Sequence, residues 1–230
     1  IGYREAMTLS KQPKDMVVVG SGAIGIEFAY FYASLGTKVT VVEYMPQIVP
    51  IEDEEISKQL EKSLKKMGIE VLTSTSVESV DTKGTRCKIK IKTPQGISEI
   101  ESEIVLSAVG IEANIQGIGL EALGIKTENG KIKTNAFYAT NIAGYYAIGD
   151  CVGGPALAHV ASAEGILCVE KIKGIAVEPI NYNNIPGCTY CQPEIASVGY
   201  TEKKAKEAGY QIKVGKFPFS ASGKAKASGA

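Results

Sequence analysis

Met16-Val-Val-Val-Gly-Ser-Gly-Ala-Ile-Gly-Ile-Glu27 is the stretch that decides how the rest of the chain reads. Met16 to Val19 are four apolar residues in a row, the pattern of a short strand buried on both faces. Gly20, Gly22 and Gly25 follow in G-x-G-x-x-G spacing. From Ile24 to Leu35 the apolar residues Ile24, Phe28, Phe31 and Leu35 recur at helical spacing, and Gly36 supplies the stop. Thr37 to Val42 is a second β-branched run, ending in Glu43, 18 residues after the last glycine. Strand, glycine turn, helix, strand and acid in this order form a device for holding a dinucleotide. Gly20 makes the sharp turn, Gly22 lets backbone amides approach a pyrophosphate, and Gly25 lets the helix pack on the strand. The helix N-terminus adds free N–H groups and roughly half a positive charge.

Charge selects NAD over NADP. A 2′-phosphate would meet the Glu43 carboxylate, whereas ribose hydroxyls give it charge-assisted hydrogen bonds worth roughly 1.5–3 kcal/mol. Tyr44-Met-Pro-Gln-Ile-Val-Pro50 contains no arginine to receive a phosphate. The same device also holds the adenosine end of FAD, so the residues alone leave NAD and FAD both open.

The bulk numbers describe an ordinary globular chain. Its 230 residues, 44% hydrophobic and 22% charged with zero net charge, suffice for one large or two small domains. Neutrality and scattered lysines give no footprint for nucleic acid. No apolar run approaches the length of a membrane span. The chain opens on Ile1 without a signal-like segment, which suggests a piece of something longer. Five cysteines at irregular spacings argue against a disulfide framework and for a reducing, cytoplasmic setting.

Ile1 to Lys14 reads as a polar lead-in. After the Pro46–Pro50 loop, Glu52-Asp-Glu-Glu55 opens a helix with a stripe of Ile56, Leu60, Leu64 and Met67, closed by Lys62, Lys65, Lys66 and Gly68. The helix dipole suffices to explain the acids, so no site is assigned to them. Gly68 to Leu72 reads as a third parallel strand. Val77–Val80, Arg86–Lys92 and Ile97–Glu101 then read as an antiparallel meander, with Cys87, Ile89 and Ile91 on its dry face. Glu103 to Gly110 returns as a buried strand, and Val109-Gly110 at its tip reads either as a cofactor contact or as a plain turn. Residues 114–140 are looser. Tyr145 to Ile148 reads as a strand, Gly149-Asp150 as its turn, and Leu157 to Lys173 as a helix stopped by Gly174. By spacing, Asp150 is either a polyol-binding aspartate or a turn aspartate. The tail from Ser220 to Ala230, rich in Ser, Gly, Ala and Lys, reads as disordered.

Several motifs now stand in a telling order: Gly20-Ser-Gly-Ala-Ile-Gly-Ile-Glu27, Glu43, Ala108-Val-Gly110 and Tyr146-Ala-Ile-Gly-Asp150. Ala158-His-Val-Ala-Ser-Ala-Glu-Gly165 and Tyr190-Cys-Gln-Pro-Glu-Ile-Ala-Ser-Val-Gly-Tyr-Thr201 follow. Together they resemble the flavin-dependent pyridine nucleotide–disulfide oxidoreductases, and within them the dihydrolipoamide dehydrogenases. The resemblance covers essentially the whole chain. It implies an α/β chain in three parts. Residues 1–114 would form an NAD-binding domain with a Rossmann-type parallel sheet and a three-stranded antiparallel meander. Residues 115–181 would complete an FAD domain, and 182–230 would begin an α+β interface domain of a homodimer. It also implies that NAD contacts Gly20, Ser21, Gly22, Ala23, Ile24, Gly25, Ile26, Glu43, Val77 and Gly110. Glu27 would lie near the nicotinamide, although the helix dipole alone also accounts for an acid there. Asp150 would hold the flavin's ribityl or phosphate region, and Ala156, Leu157, Ala158 and His159 would line the isoalloxazine. FAD's own glycine loop belongs to a segment upstream, which assigns the first motif to NAD.

The resemblance implies the chemistry by which dihydrolipoamide, carried on the lipoyl domain of a 2-oxoacid dehydrogenase complex, is reoxidised through a disulfide, flavin and NAD⁺. The family's redox cysteine pair and its catalytic histidine–glutamate pair match no residues of this chain, so no catalytic residue is assigned and the 230 residues alone are expected to be inactive. At Ile111-Glu-Ala-Asn114 many family members have an arginine and a proline instead. Cys188-Thr-Tyr-Cys191 has C-x-x-C spacing, but residues i and i+3 of an extended segment face opposite ways. Cys151 and Cys168 read as small buried residues, and no Cys/His spacing suggests a metal. His159, the only histidine, reads as a packing residue rather than a base. The rivals are a sister flavoenzyme (a disulfide reductase, mercuric reductase or NADH oxidase) and a non-catalytic NAD-binding module.

Overall fold

The computed structural model describes residues 1–228, and they fall into two units: Ile1–Gly110 with the segment from Pro186 on, and Ile111–Ile185. The polar lead-in contains a short helix, α1 (Tyr3–Ala6), whose Ala6 carbonyl accepts the Tyr32 hydroxyl. The first strand is β1 (Asp15–Val19), followed by α2 (Ala23–Ser34) and β2 (Lys38–Val42). Next come α3 (Glu54–Lys66), β3 (Glu70–Leu72) and the meander β4 (Ser76–Asp81), β5 (Cys87–Thr93) and β6 (Gly96–Ser102). β7 (Ile104–Ser107) completes a parallel sheet in the order β3-β2-β1-β7.

Side chains alternate across a strand, and β1 uses both faces. Met16 and Val18 point into a core with Val39, Val41, Leu106 and the helix residues Ile26, Ala29, Leu60 and Leu64. Val17 and Val42 point the other way, onto Ile89 and Ile91 of the meander. The parallel sheet is therefore a filling between helices and meander, which is why its strands read as continuous apolar runs.

Two helix faces differ from the sequence expectation. On α2 the buried residues are Gly25, Ile26, Ala29 and Tyr32, while Phe31 and Leu35 are exposed. This helix is apolar nearly all round, so its periodicity does not choose a face. On α3 Ser57, Leu60 and Leu64 are buried, and Ile56 and Met67 at the edges are exposed.

Asp15 fastens the meander to the sheet. Its carboxylate takes two hydrogen bonds from Arg86 (2.9 and 2.8 Å) and one from the Glu103 amide (2.7 Å). Burial opposes its charge, but Arg86 and that amide outweigh burial and leave the Asp15 pKa lowered. A carboxyl whose folded pKa lies below its unfolded value of about 3.9 contributes stability above that pH and loses it as pH falls through the folded pKa. Asp15→Asn should therefore lower the urea midpoint at pH 7, and the gap from wild type should close on acidification below about pH 4. A gap of equal size at pH 7 and pH 3 would contradict this account of Asp15.

The second unit holds α4 (Leu120–Leu123), a two-stranded ladder of β8 (Thr127–Glu128) and β9 (Lys131–Ile132), and α5 (Ala158–Ile172). Its cores are small, one around Ile115, Leu120, Ile132 and Val152 and another around Tyr138, Leu167 and Cys168. Tyr145 to Ile148 does not form the expected strand. A strand requires a ladder, and among the described residues this segment has a single bridge, Tyr146 to Ala139. Gly149–Cys151 follows as a 3-10 turn. Cys151 is only half-buried.

The chain then returns to the first unit as the hairpin β10 (Gly187–Thr189) and β11 (Ile195–Ser197), followed by α6 (Glu202–Glu207). The acids before and within α3 have a second job that the dipole account missed. Glu52 accepts from the Ser197 hydroxyl (3.2 Å), Asp53 from the Glu202 amide (2.8 Å), and Glu55 pairs with Lys216 (2.5 Å). The tail expected to be disordered carries a short helix, α7 (Gly223–Ser228); its last two residues, 229 and 230, lie outside the described range.

Candidate functional site

The glycine turn is assembled at the carboxyl ends of three parallel strands. The Gly20 amide donates to Val42 of β2, and the Ala108 amide after β7 donates to Val19 of β1, both at 2.8 Å. Gly20 sits at φ +98°, and a Cβ there would lie 2.5 Å from the Ala108 carbonyl oxygen. Gly25 is tighter still, with the Gly20 carbonyl oxygen 2.0 Å from where its Cβ would be. Gly22 has open space around its Cα. Gly20 thus makes the turn and Gly25 the close contact between helix and strand that their spacing implied, and Gly22 leaves the outer side of the turn clear.

Helix α2 starts at Ala23 with Gly22 as its N-cap and no side chain capping it, so its leading amides face the open side of the turn. Ala23 is exposed, Ile24 half-buried and Ile26 buried in the core. Glu43, at the tip of β2, is buried against this turn. One of its oxygens accepts from the Ser21 amide (2.8 Å) and the Ser21 hydroxyl (2.6 Å), and the other accepts from the Met45 amide (2.7 Å). Gly20 to Gly25 and Glu43 are thus brought together.

Gly110, at φ +132°, is exposed one residue beyond the equally exposed Val109. Val77 packs against the core between sheet and meander, at an irregularity in the β4–β5 register. Glu27 is half-buried on α2 and accepts from the Tyr190 amide at 2.9 Å, joining the helix to the residue after β10. No sequence signal pointed to that bond, since its donor is a backbone group 163 residues away.

Within the second unit, Asp150 is exposed in its 3-10 turn. Helix α5 begins at Ala158 with Leu157 as its N-cap and no side-chain cap. Ala156, Ala158 and His159 are exposed there, and Leu157 is half-buried. Glu164 lies within the Ala158–Gly165 motif at the start of α5. It is 1% exposed, and it accepts from the Gly149 amide and the Tyr182 hydroxyl, both at 2.6 Å. It therefore holds the turn that presents Asp150. The signal was available: Val160, Glu164, Leu167 and Cys168 are the buried face of α5, and a glutamate in that stripe needs donors. Burial, and then the bond to Glu164, push the Tyr182 phenol far above its usual pKa, so it remains a donor.

Cys188 and Cys191 are free thiols, one half-buried on β10 and the other buried. Burial pushes the Cys191 thiol up to about 11, the opposite of what a redox nucleophile needs. A shallow surface depression along α3 is lined by Lys58, Glu61, Lys62, Lys65 and Lys66. It is the solvated back of a helix and takes no part in the turn. No helix of the described residues is long and apolar enough to cross a membrane.

Comparison with known proteins identifies the family. The model of the pyridine nucleotide-disulphide oxidoreductases matches residues 1–165, and that family's dimerisation domain matches 185–230. A dihydrolipoyl dehydrogenase of Rhizobium etli is 49% identical over 99% of this chain and 48% of its own length. One from Zymomonas mobilis is 46% identical over 99% of this chain and 49% of its own length. Among solved structures, LpdA from Mycobacterium tuberculosis superposes with a TM-score of 0.89 at 29% identity, over all of this chain and 50% of that one. The chain spans about half the length of the curated relatives it matches. With the glycine turn, the strand-tip acid and both family models laid along one sequence, the chain belongs to the pyridine nucleotide-disulphide oxidoreductases.

Proposed function

We propose that this chain is the NAD-binding and part of the FAD-binding portion of a dihydrolipoyl dehydrogenase, an enzyme that reoxidises dihydrolipoamide and passes hydride from flavin to NAD⁺. The observation that carries the reading is the Glu43 carboxylate held beside the glycine turn. Dihydrolipoyl dehydrogenases at 46–49% identity support the substrate. When bound, flavin and nicotinamide supply the hydride chemistry; the residues here bind and orient. Gly22, Ala23, Ile24 and Gly25 cradle the NAD pyrophosphate, while Gly20, Ser21 and Ile26, whose amides are already given to Val42, Glu43 and Gly22, hold the turn in shape behind them. Val77 and Gly110 lie at the rim and Glu27 toward the nicotinamide. The fit is supported by the open space at Gly22 and the uncapped start of α2. Glu43 keeps an acceptor position for the adenosine ribose, and its charge disfavours a 2′-phosphate.

In the second unit, Asp150, exposed on a turn fixed by Glu164, binds the flavin's polyol or phosphate region. Ala156, Leu157, Ala158 and His159 at the uncapped start of α5 line the isoalloxazine, where the helix dipole favours negative charge. Residues 1–114 act as the NAD domain, 115–181 as part of the FAD domain, and 182–230 as part of the interface of a homodimer. The proposed partners are a lipoyl carrier domain and its 2-oxoacid dehydrogenase complex, and the proposed compartment is the cytoplasm.

An NADH titration tests the reading. Replacing Glu43 by alanine removes at least one charge-assisted hydrogen bond, so NADH affinity should fall by about tenfold or more. Unchanged affinity would remove the basis for placing NAD at this turn.

A further inference from the structure

Glu43 is more heavily engaged than a carboxylate that waits only for a sugar. One oxygen, Oε2, receives both the amide and the hydroxyl of Ser21, at 2.8 and 2.6 Å. The other, Oε1, receives the Met45 amide at 2.7 Å. Ser21 is itself pinned, since its carbonyl accepts the Val49 amide at 3.0 Å. Both side chains are out of solvent, Ser21 at 1% and Glu43 at 7% exposure. A carboxylate oxygen offers about two lone-pair positions, so Oε2 is filled and Oε1 keeps one. A serine hydroxyl carries a single proton. While that proton is given to Glu43, it is withheld from any other acceptor.

We propose that Ser21 is a positioning residue that sets nucleotide preference at this turn. Its hydroxyl holds Glu43 aimed at the sugar, and the same bond denies a 2′-phosphate a donor. The inference rests on the reading that NAD binds here and adds to it a second residue of discrimination, acting through Glu43. The two effects reinforce one another. NADH gains a carboxylate already oriented, which lowers the ordering cost of binding. NADPH meets a negative charge and a hydroxyl facing away.

The test is a fluorescence titration of the full chain with NADH and with NADPH, in wild type, Ser21→Ala, Glu43→Ala and the double variant. Ser21→Ala should raise the NADH Kd by about fivefold to tenfold while moving the NADPH Kd by less than about twofold, so that the preference narrows. Glu43→Ala should lose the preference and bind NADPH about fivefold better than wild type, because the Ser21 proton is released to the phosphate. The double variant should lose that NADPH gain, a non-additivity that a merely structural serine does not produce. If Ser21→Ala keeps the wild-type preference while Glu43→Ala loses it, the inference about Ser21 is overturned and the NAD reading stands. If Glu43→Ala keeps both NADH affinity and preference, the NAD reading fails and takes this inference with it.

Discussion

Gly25→Ala is expected to destabilise the first unit by about 3 kcal/mol or more, beyond the usual range for an added methyl in a packed core. The new Cβ would lie 2.0 Å from the Gly20 carbonyl oxygen, a distance real Cβ atoms essentially never show, and a tight 3.0 Å from its carbon. Both obstacles are backbone, so no side-chain rotation relieves them. Relief comes only by lifting α2 from the sheet, which exposes Ile26, Ala29 and Tyr32. Gly22→Ala is the matched control, because a Cβ there meets nothing within 4 Å. Loss of the glycine N-cap should cost it about 1 kcal/mol at most, well short of Gly25→Ala, while its methyl intrudes on the proposed pyrophosphate path and weakens NADH binding. Urea unfolding of the two variants beside wild type decides the matter. Equal midpoints for Gly25→Ala and wild type would mean that this helix does not need its close approach.

Glu164→Ala is the second large effect, expected to cost the second unit about 2–4 kcal/mol. Glu164 is the shared acceptor for the Gly149 amide and the Tyr182 hydroxyl, and Tyr182 in turn lies 3.0 Å from the Tyr138 hydroxyl. Alanine removes both acceptor oxygens and leaves a void beside Val160, Leu167 and Cys168 on the same face. Glutamine fills the void but brings an amide group that offers a donor to a neighbour already donating, so it should cost about half as much. Thermal melts should therefore rank wild type above Glu164→Gln above Glu164→Ala. Glutamine as damaging as alanine would shift the weight from hydrogen bonding to charge, and alanine without effect would contradict the burial argument.

Legibility in the sequence was uneven, for physical reasons. β1, the glycine turn, β2 and the meander were readable because each carries its own local signal: a continuous apolar run, fixed glycine spacing, or strict alternation from Cys87 to Lys92. The α2 face was not readable from its apolar spacing, since almost every residue of that helix is apolar; only Gly25, where backbone touches backbone, marked the contact. Tyr145 to Ile148 has strand composition, but composition does not supply a ladder partner. The ties made by Asp53, Glu27 and Asp15 share another reason. Each joins a side chain to a backbone amide or a guanidinium far along the chain, at separations of 149, 163 and 71 residues. Nothing local in a sequence records such a partner. The glycine turn and the acid beside it were legible in outline, from spacing alone. Its internal bond from Ser21 to Glu43 was not, because spacing says that two residues are near and does not say which donates to which.

The path of the chain through the sheet also bears on how it folds. β1 receives β2 after one short helical crossover, but β7, its other neighbour, arrives only after the whole meander has been traversed. Closing that second loop is a little over two doublings longer than the first, an entropic penalty of about 1.3 kcal/mol at roughly 0.6 per doubling. The meander offsets it, because its two hairpins pair neighbours in sequence and can zip before β7 docks. Once zipped, the meander is joined to its sheet neighbours β3 and β7 by residues 73–75 and 103 alone, and Arg86 ties the ribbon to Asp15 at the foot of the central strand. Local pairing of this kind is expected to form ahead of the long-range contact of β7 with β1.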